Sequence, residues 1–572
     1  MTMGKPLKSV TIVGGGTAGW LTAALLQAFG RKEQQGLKPL EITLIESPDI
    51  PTVGVGEATV PGMVRTLQNA GISERAFFRR CNASFKLGVS FDGWNVDKAG
   101  KPVSYINPFS KAPNINGVEL AYYFNRFGAG GRDYLSSYAA TVDMVKARKG
   151  PRAAGAKEYD KSMGFAYHLD AGKFAALLTE HCTAKGVKHI RENVLEVEKD
   201  DRGNIAALQL QESGRHQVEL VIDCTGFRGM IINQALGEPF VSYSKYLAND
   251  RAMAVQVPHP DPAKIEPVTR SVALGAGWSW RVPLYNRIGT GYVFSSAHRT
   301  DEEAREEFLA SLRATIGKIP DDAEPRVIPM RVGRNRNAWV KNCVAIGLSG
   351  GFIEPLESTA IYMIDMGVRW LLSYFPDSDF PDPLRDRYNR LVDNLYNEVR
   401  DFICLHYRLG NRTDTQYWID ARTELEVPDT LGENLELWRY NLVSHYDLPF
   451  TTLFDAGTYN AVLMGKRVYE TGYARGDIGS GFLLDERLWG EIQAHLRKLN
   501  TERVKRAADH VALLNELRGE AAPQTAAPRA AAPAFQAAQA TVPLPGFGPA
   551  QVPLGQGKRK LDPVDKENAS LL

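Results

Sequence analysis

Residues 9–46 read SVTIVGGGTAGWLTAALLQAFGRKEQQGLKPLEITLIE. The run 9–13 is short and β-branched, 18–29 is rich in Ala and Leu at helical spacing, and 41–46 is a second apolar run that ends in an acid. Strand, glycine turn, helix and strand in that order predict a β-α-β unit with a right-handed crossover, and hence a parallel sheet. Gly14, Gly16 and Gly19 fit G-x-G-x-x-G. Gly14 permits the tight turn, Gly16 lets main-chain N–H groups approach a pyrophosphate, and Gly19 lets the helix close on the strand. Thr17 precedes and Ala18 opens a helix whose N-terminus carries positive potential. Glu46 is placed to accept hydrogen bonds from a ribose. The Gly19 to Glu46 gap exceeds the usual spacing of about 20 residues, and the polar insert KEQQGLKP (32–39) absorbs the difference. A glycine turn without a ligand is the alternative; the ordered strand, helix and terminal acid favour a dinucleotide. Two later strand-to-glycine returns, DCTGFRG (223–229) and AIGLSGGFIEPLEST (345–359), favour FAD over NAD.

Outward from this unit, strand and helix signals recur over 165–226, with a helix at 171–185, strands near 194–197 and 205–210, and then VELVIDCTGF (218–227). Residues 273–296 alternate and carry aromatics, which predicts an antiparallel sheet, and 342–347 is another buried strand followed by glycines. Beyond Pro383 the character changes. Leu384, Tyr388, Leu391, Leu395, Val399, Phe402 and His406 mark a long amphipathic helix, and 486–518 reads as one more helix. The last 52 residues hold eight prolines and thirteen alanines, a composition that predicts a disordered tail. Truncation after Glu520 is expected to change melting temperature and turnover only slightly; a large drop in melting temperature would show that the tail docks.

The chain has 572 residues, 44% apolar and 23% charged, a globular balance that allows two or three structural units. Its formal net charge is +2, and removing the five basic and three acidic residues of 521–572 leaves 63 of each sign. Such a body has no electrostatic footprint for nucleic acid. Five scattered cysteines without a CxxC pair suit a reduced compartment and make structural zinc or any other metal site unexpected. Lys5 and Lys8 before the uncharged run 9–30 imitate a secretory signal, but the glycine cluster interrupts the apolar stretch such a signal needs. A cytoplasmic protein that does not engage a membrane is expected.

GGGTAGW (14–20), GVGEAT (54–59), FKLGVSFDGW (85–94), DCTGFRG (223–229), WSWRVP (278–283) and GGFIEPLEST (350–359) occur in that order. Together they resemble the flavin-dependent halogenases known as tryptophan halogenases, over roughly residues 8–515. The W-x-W-x-I-P marker of that family carries Val282 in place of Ile. The resemblance implies an α/β fold: an FAD-binding Rossmann-like domain of flavin monooxygenase type, an added antiparallel sheet and a mainly helical C-terminal region. The divisions expected are 1–380 (FAD-binding halogenase core), 381–520 (helical substrate side) and 521–572 (tail).

It also implies the chemistry. Reduced FAD, supplied by a separate NAD(P)H-dependent flavin reductase, reacts with O2, and chloride or bromide is oxidised to hypohalous acid. The acid travels to a lysine matched by Lys86, which delivers electrophilic halogen to a small aromatic substrate. An amine among apolar neighbours such as Phe85, Leu87 and Val89 can be neutral and nucleophilic. An ordinary solvent-facing lysine is the bland alternative. Glu357 matches the carboxylate that assists loss of the arene's proton, with Ser358 beside it; capping a helix that begins near Ser358 is its structural alternative. Thr359 and Ala360 match main-chain halide donors, Ala360 standing where the family has Gly or Ser. Ala58, Val194, Leu348 and Ile361 fall at further FAD positions. Trp278, Trp280 and Pro283 form the motif on the flavin side, against the alternative of plain core aromatics. A homodimer is one assembly the resemblance allows.

The substrate side departs from the tryptophan-specific pattern. Asn107 stands before Phe109 where a histidine is usual, and 453–465 has no tryptophan, Thr458 and Tyr459 being nearest. Free tryptophan is therefore not the expected substrate; an indole, a phenol, a pyrrole or a substrate new to the family is. Three other readings remain at this point. An FAD monooxygenase on the same fold would ignore halide. An α/β-hydrolase could use Ser349 of Gly347-Leu-Ser-Gly-Gly351 as nucleophile, with Asp414 and His445. A non-catalytic flavin-binding protein could use its tail for docking.

Overall fold

Ser9–Val13 is buried along almost its whole length, as a strand covered on both faces must be. It lies at the centre of a six-stranded sheet in the order Lys188–Arg191, Glu41–Glu46, Ser9–Val13, Leu220–Asp223, Cys343–Ala345 and Trp339–Val340. The first five strands run parallel and the last, a hairpin return, antiparallel. The helix Thr17–Phe29 starts one residue before the predicted position and buries Trp20, Leu21, Leu25 and Leu26, each worth about 1.5–3 kcal/mol. Two glycines make its approach possible. A Cβ on Gly14 (φ +120°) would lie 2.2 Å from the Cys224 carbonyl oxygen, and one on Gly19 would lie 1.8 Å from that of Gly14.

This computed structural model describes residues 4–30, 38–50, 56–115, 117–317, 319–320, 323–449, 453–473, 481 and 483–519. Gly54 and Val55 of the GVGEAT motif, most of the 32–39 insert and the tail lie outside the described residues.

The predicted antiparallel sheet has seven strands, ordered Arg326–Pro329, Arg251–Val257, Ile288–Phe294, Gly277–Pro283, Thr269–Leu274, Gly88–Val96 and Pro102–Pro108. Only Thr269–Leu274 and Gly88–Val96 pair in parallel. Immediately before Gly88–Val96, Ser84–Lys86 joins a small sheet with Ala166–Asp170 and Gly56–Ala58.

The helix Asp382–Arg408 spans 27 residues and matches the predicted stripe. Its last turns, Phe402 to Tyr407, are buried on every side, so there the amphipathic pattern gives way to full enclosure. The region 486–518 is two helices, Glu486–Arg506 and His510–Arg518, rather than the predicted one. Asp509 caps the second by accepting from Ala512 N–H, while the intervening backbone pairs with the 148–152 loop through Gly150, Arg152 and Arg148. An aspartate cap without Gly or Pro is a weak stop signal beside a continuous apolar period. Among the described residues no helix is long and apolar enough to cross a membrane.

Candidate active site

One loop links the glycine turn to the chemistry. It leaves Cys343–Ala345, passes Gly347, whose added Cβ would lie 2.6 Å from Ala18 Cβ, and ends at the helix Ala360–Ser373. Near its end Pro355–Glu357 form one 3-10 turn and Ser358 takes a left-handed conformation (φ +60°). For a non-glycine residue that conformation costs about 1–2 kcal/mol, and such strain gathers at functional sites. Ser358 and Thr359 separate Glu357 from the helix, and Glu357 caps nothing; its carboxylate is committed elsewhere.

Lys86 reaches this loop from the small sheet. Its side chain is completely buried, and Nζ donates to Ser358 Oγ and to the Thr59 carbonyl oxygen, both at 2.9 Å. The amine also stands 5.2 Å from the centroid of the Phe109 ring. Burial, partly opposed by Glu357, pushes the ammonium down from its ordinary value to about 7. Its strand is held from both sides. Ser84 Oγ bonds His168 Nδ1 at 2.9 Å, and Phe85 N–H donates to His510 Nε2 at 3.2 Å. Burial keeps His510 neutral by lowering it to about 4, so Nε2 can accept while Nδ1 faces the Ile265 carbonyl.

Glu357 is buried, with Oε1 2.9 Å from Nε2 of His406. The His406 ring stacks on Phe91 (4.6 Å, 14°), and Phe91 stacks in turn on Tyr105 (5.1 Å, 13°). His406 was legible only as one apolar-stripe position of a helix; nothing in its sequence neighbourhood marks it as the partner of a carboxylate. Tyr105 and Asn107 share one face of the strand Pro102–Pro108 at two-residue spacing, and Phe109 follows just past its end. Tyr105 OH, Asn107 Oδ1 and His406 Nδ1 are buried polar atoms with no hydrogen-bond partner among the described residues. Such a concentration is costly in a structural core and suits a ligand compartment. Tyr459 lies one ring further back, edge-on to Phe402 at 4.8 Å, with Phe402 edge-on to His406 at 5.3 Å.

Trp278 is buried, and its indole N–H donates to Glu354 Oε2 at 2.7 Å; Tyr407 OH and Asn249 Nδ2 donate to the same oxygen. Burial raises Glu354 above the usual carboxylate range against those three donors. Trp280 is less buried and meets Trp278 edge-on at 6.3 Å. Gly291 opposite it is required, since an added Cβ would lie 2.0 Å from the indole. Pro283 ends the strand, its carbonyl accepting from Ser84 Oγ.

The residues around the glycine turn fit FAD. Gly16 ends the turn as the cap of Thr17–Phe29 with no side-chain cap, and a Cβ there would meet nothing within 4 Å. The helix N-terminus is therefore uncapped by any side chain and open beside Gly16, as the approach of a pyrophosphate requires. Glu46 lies against Gly15 and is paired with His189 Nε2 at 3.0 Å. Val194 follows Asn193, which accepts from Ser47 Oγ at 2.6 Å and so sits beside the end of the same strand. Leu348 is 40% exposed in the turn after Cys343–Ala345, Ala58 is half-buried, and Ile361 is in the core, leaving only its main chain for a ligand. Thr359 is buried and Ala360 exposed at the start of the next helix. A surface cleft of about 400 Å³ lined by Arg202, Lys341, Asp382 and Arg385 contains none of these residues.

The hydrolase arrangement is absent. Ser349 donates to the Asp223 and Ile346 carbonyls, Asp414 pairs with Arg412, and His445 is exposed beside Tyr446.

Comparison with known proteins agrees with this geometry. The tryptophan halogenase family profile matches residues 9–476. A tryptophan 6-halogenase of Streptomyces toxytricini is 39% identical over 479 residues, 80% of this chain and 88% of the relative. Among solved structures, a tryptophan halogenase from Shewanella frigidimarina superposes with a TM-score of 0.82 at 34% identity, covering 91% of this chain and 99% of the other. A tryptophan C-6 flavin-dependent halogenase from taromycin biosynthesis gives 0.81 at 35% identity, covering 90% and 100%. The chain belongs to the tryptophan halogenase family. It is thus an enzyme, a flavin-dependent halogenase with the Rossmann-like fold of that family.

Proposed function

We propose that the protein halogenates a small electron-rich arene such as an indole, using reduced FAD, O2 and chloride or bromide, with Lys86 delivering the halogen and Glu357 taking the proton. The observation that carries this reading is that Lys86 Nζ, Ser358 Oγ and the Glu357 side chain are buried together where neutral amine chemistry is possible. Bound reduced FAD supplies, with O2, the oxidant that converts halide to hypohalous acid. Gly14, Gly16, Thr17, Ala18, Gly19 and Glu46 hold the cofactor, helped by Ala58, Val194, Leu348 and Ile361. Thr359 and Ala360 offer main-chain N–H groups to the halide, and Trp278, Trp280 and Pro283 keep the substrate away from the cofactor.

Lys86 retains the electrophilic halogen by an N–halogen bond or by hydrogen bonding to hypohalous acid. The arene's π electrons form the carbon–halogen bond as the N–halogen bond breaks, its electron pair returning to the amine, or as the O–halogen bond breaks, releasing water with the proton donated by Lys86; the ring proton then passes to the Glu357 carboxylate and the ring regains its π electrons. Asn107 and Phe109 line the arene's side of Lys86, with Tyr459 behind them. The test is product mass from a panel of indoles and phenols with flavin reductase, NADH, FAD, O2 and either halide.

Two expectations follow for the same assay. Because one dinucleotide motif is present and no second segment for NAD(P)H, the protein binds FAD weakly as purified and works only with reduced flavin supplied in trans by a reductase. Stoichiometric oxidation of NADH by the protein alone contradicts this. Secondly, with Asn107 and the 458–459 region replacing two aromatic contacts of about 1 kcal/mol each, indole is preferred over free tryptophan by tenfold or more. Bromide is at least tolerated, and indole is substituted at C3. Competition between equimolar indole and tryptophan checks this; benzo-ring halogenation of tryptophan contradicts it.

A further inference from the structure

His406 has two charged groups in its surroundings. Glu357 is 2.9 Å from Nε2, and a second buried amine, Lys466, approaches the Trp94 indole that also neighbours the His406 ring. The His406 and Trp94 rings are 6.1 Å apart, and Lys466 Nζ is 5.4 Å from the Trp94 centroid. Lys466 is 2% exposed and donates to Asn95 Oδ1 at 2.8 Å; Asn95 donates onward to the Leu409 carbonyl. Burying an ammonium without a carboxylate partner is expensive, and nothing in halogen delivery by Lys86 uses this second lysine. His406 Nδ1, for its part, has no hydrogen-bond partner among the described residues.

We propose that Lys466 is a positioning residue for the reaction: its charge, beside the Trp94 ring that both residues approach, adds to burial in keeping His406 a neutral hydrogen-bond donor to Glu357 rather than an imidazolium that would neutralise the base. A neutral Nε2–H fixes Oε1 and leaves the other carboxylate oxygen with its basicity. An imidazolium would form a buried ion pair and make Glu357 a poorer acceptor of the arene's proton. Burial and Lys466 lower the proton affinity of His406 and Glu357 raises it, with a net lowering. Burial brings Lys466 down to about 7, so it carries its charge below that pH, the range where a histidine would otherwise protonate. The remaining neighbours do not change the sign. Phe91, Trp94 and Phe402 are the rings packed on His406, Tyr407 on its own helix is turned to Glu354, and Lys86 and the Tyr105 phenol act on Glu357.

The test is NMR of ¹⁵N-histidine-labelled protein, with His406 assigned by the signal lost in H406Q. Alongside it runs single-turnover halogenation by wild type and K466M with excess reduced FAD across the same pH range. In wild type His406 stays neutral, protonated on Nε2, at pH 7 and titrates below the ordinary histidine range. In K466M its protonation moves to higher pH by about one unit, a tenfold change in the proton equilibrium, and product formation falls further than in wild type on the acid side of the rise set by Lys86. K466Q, which keeps a hydrogen bond to Asn95, serves if K466M does not fold. An imidazolium in wild type at pH 7, or an unmoved titration and acid-side fall in the lysine variants, overturns the proposal. The kinetic arm rests on the halogenation reading and the titration arm does not. Wild type that makes no halogenated product overturns that reading and leaves the titration to decide the role of Lys466.

Discussion

Replacing Lys86 by alanine or methionine lowers halogenated product by about a hundredfold or more, in the range expected when a proton-transfer or nucleophilic group is removed, while flavin affinity stays within about twofold. The separation is expected because Lys86 stands on its own strand, bonded to Thr59 and Ser358, whereas the cofactor cradle is built from the glycine turn around Gly14 to Gly19. The lysine is held at about 7, so the neutral fraction, the form able to carry halogen, grows as pH rises through that value. Wild-type halogenation rises with pH accordingly, and the limb is missing from any residual activity of the variants.

Stability depends on pH in the same direction. Between about 7 and the ordinary value of 10.5 the unfolded chain binds more protons at this lysine than the folded one. Folding stability therefore rises with pH across that window, and below it the full cost of burying the amine is present. K86M removes that cost, so it is expected to melt higher than wild type at pH 7, by an amount corresponding to up to a few kcal/mol. A variant that is inactive because it is misfolded would instead melt lower. Product yield, flavin titration and melting temperature together decide the case, and unchanged yield contradicts the assignment.

Glu357→Gln is the second large effect. The amide keeps the volume and can still meet His406 Nε2, but it cannot take a proton. Turnover is expected to fall by about a hundredfold with substrate affinity within about threefold. In wild type, loss of the ring proton follows attack and is fast, so a ring-deuterated arene reacts at the same rate as the protonated one. In E357Q proton loss becomes slow enough to show a primary isotope effect. Equal turnover in E357Q, or a loss expressed only as weaker binding, contradicts a role as base.

How much of this was legible depended on how local each feature is. The β-α-β unit could be read because a β-branched run, Gly14, Gly16, Gly19 and the acid of Glu46 lie within 38 consecutive residues, 9–46. Lys86, Glu357 and Ser358 were reachable through the motifs that contain them, although 272 positions separate Lys86 from Ser358. His406 and Lys466 had no such context. One lies on an apolar stripe and the other at the end of an Ala- and Leu-containing helix, and only folding brings both beside Trp94. The break at 507–509 was missed for a related reason. Backbone pairing with the 148–152 loop, a long-range event, stops the helix where the apolar period would carry it on.

The central claim is tested most directly by giving wild-type protein chemically reduced FAD, O2, indole and bromide, and reading the product by mass and NMR. The account predicts a product with the bromine isotope doublet, substituted at C3, that requires bromide and disappears in K86A. An oxygenated product formed equally well without halide would contradict it.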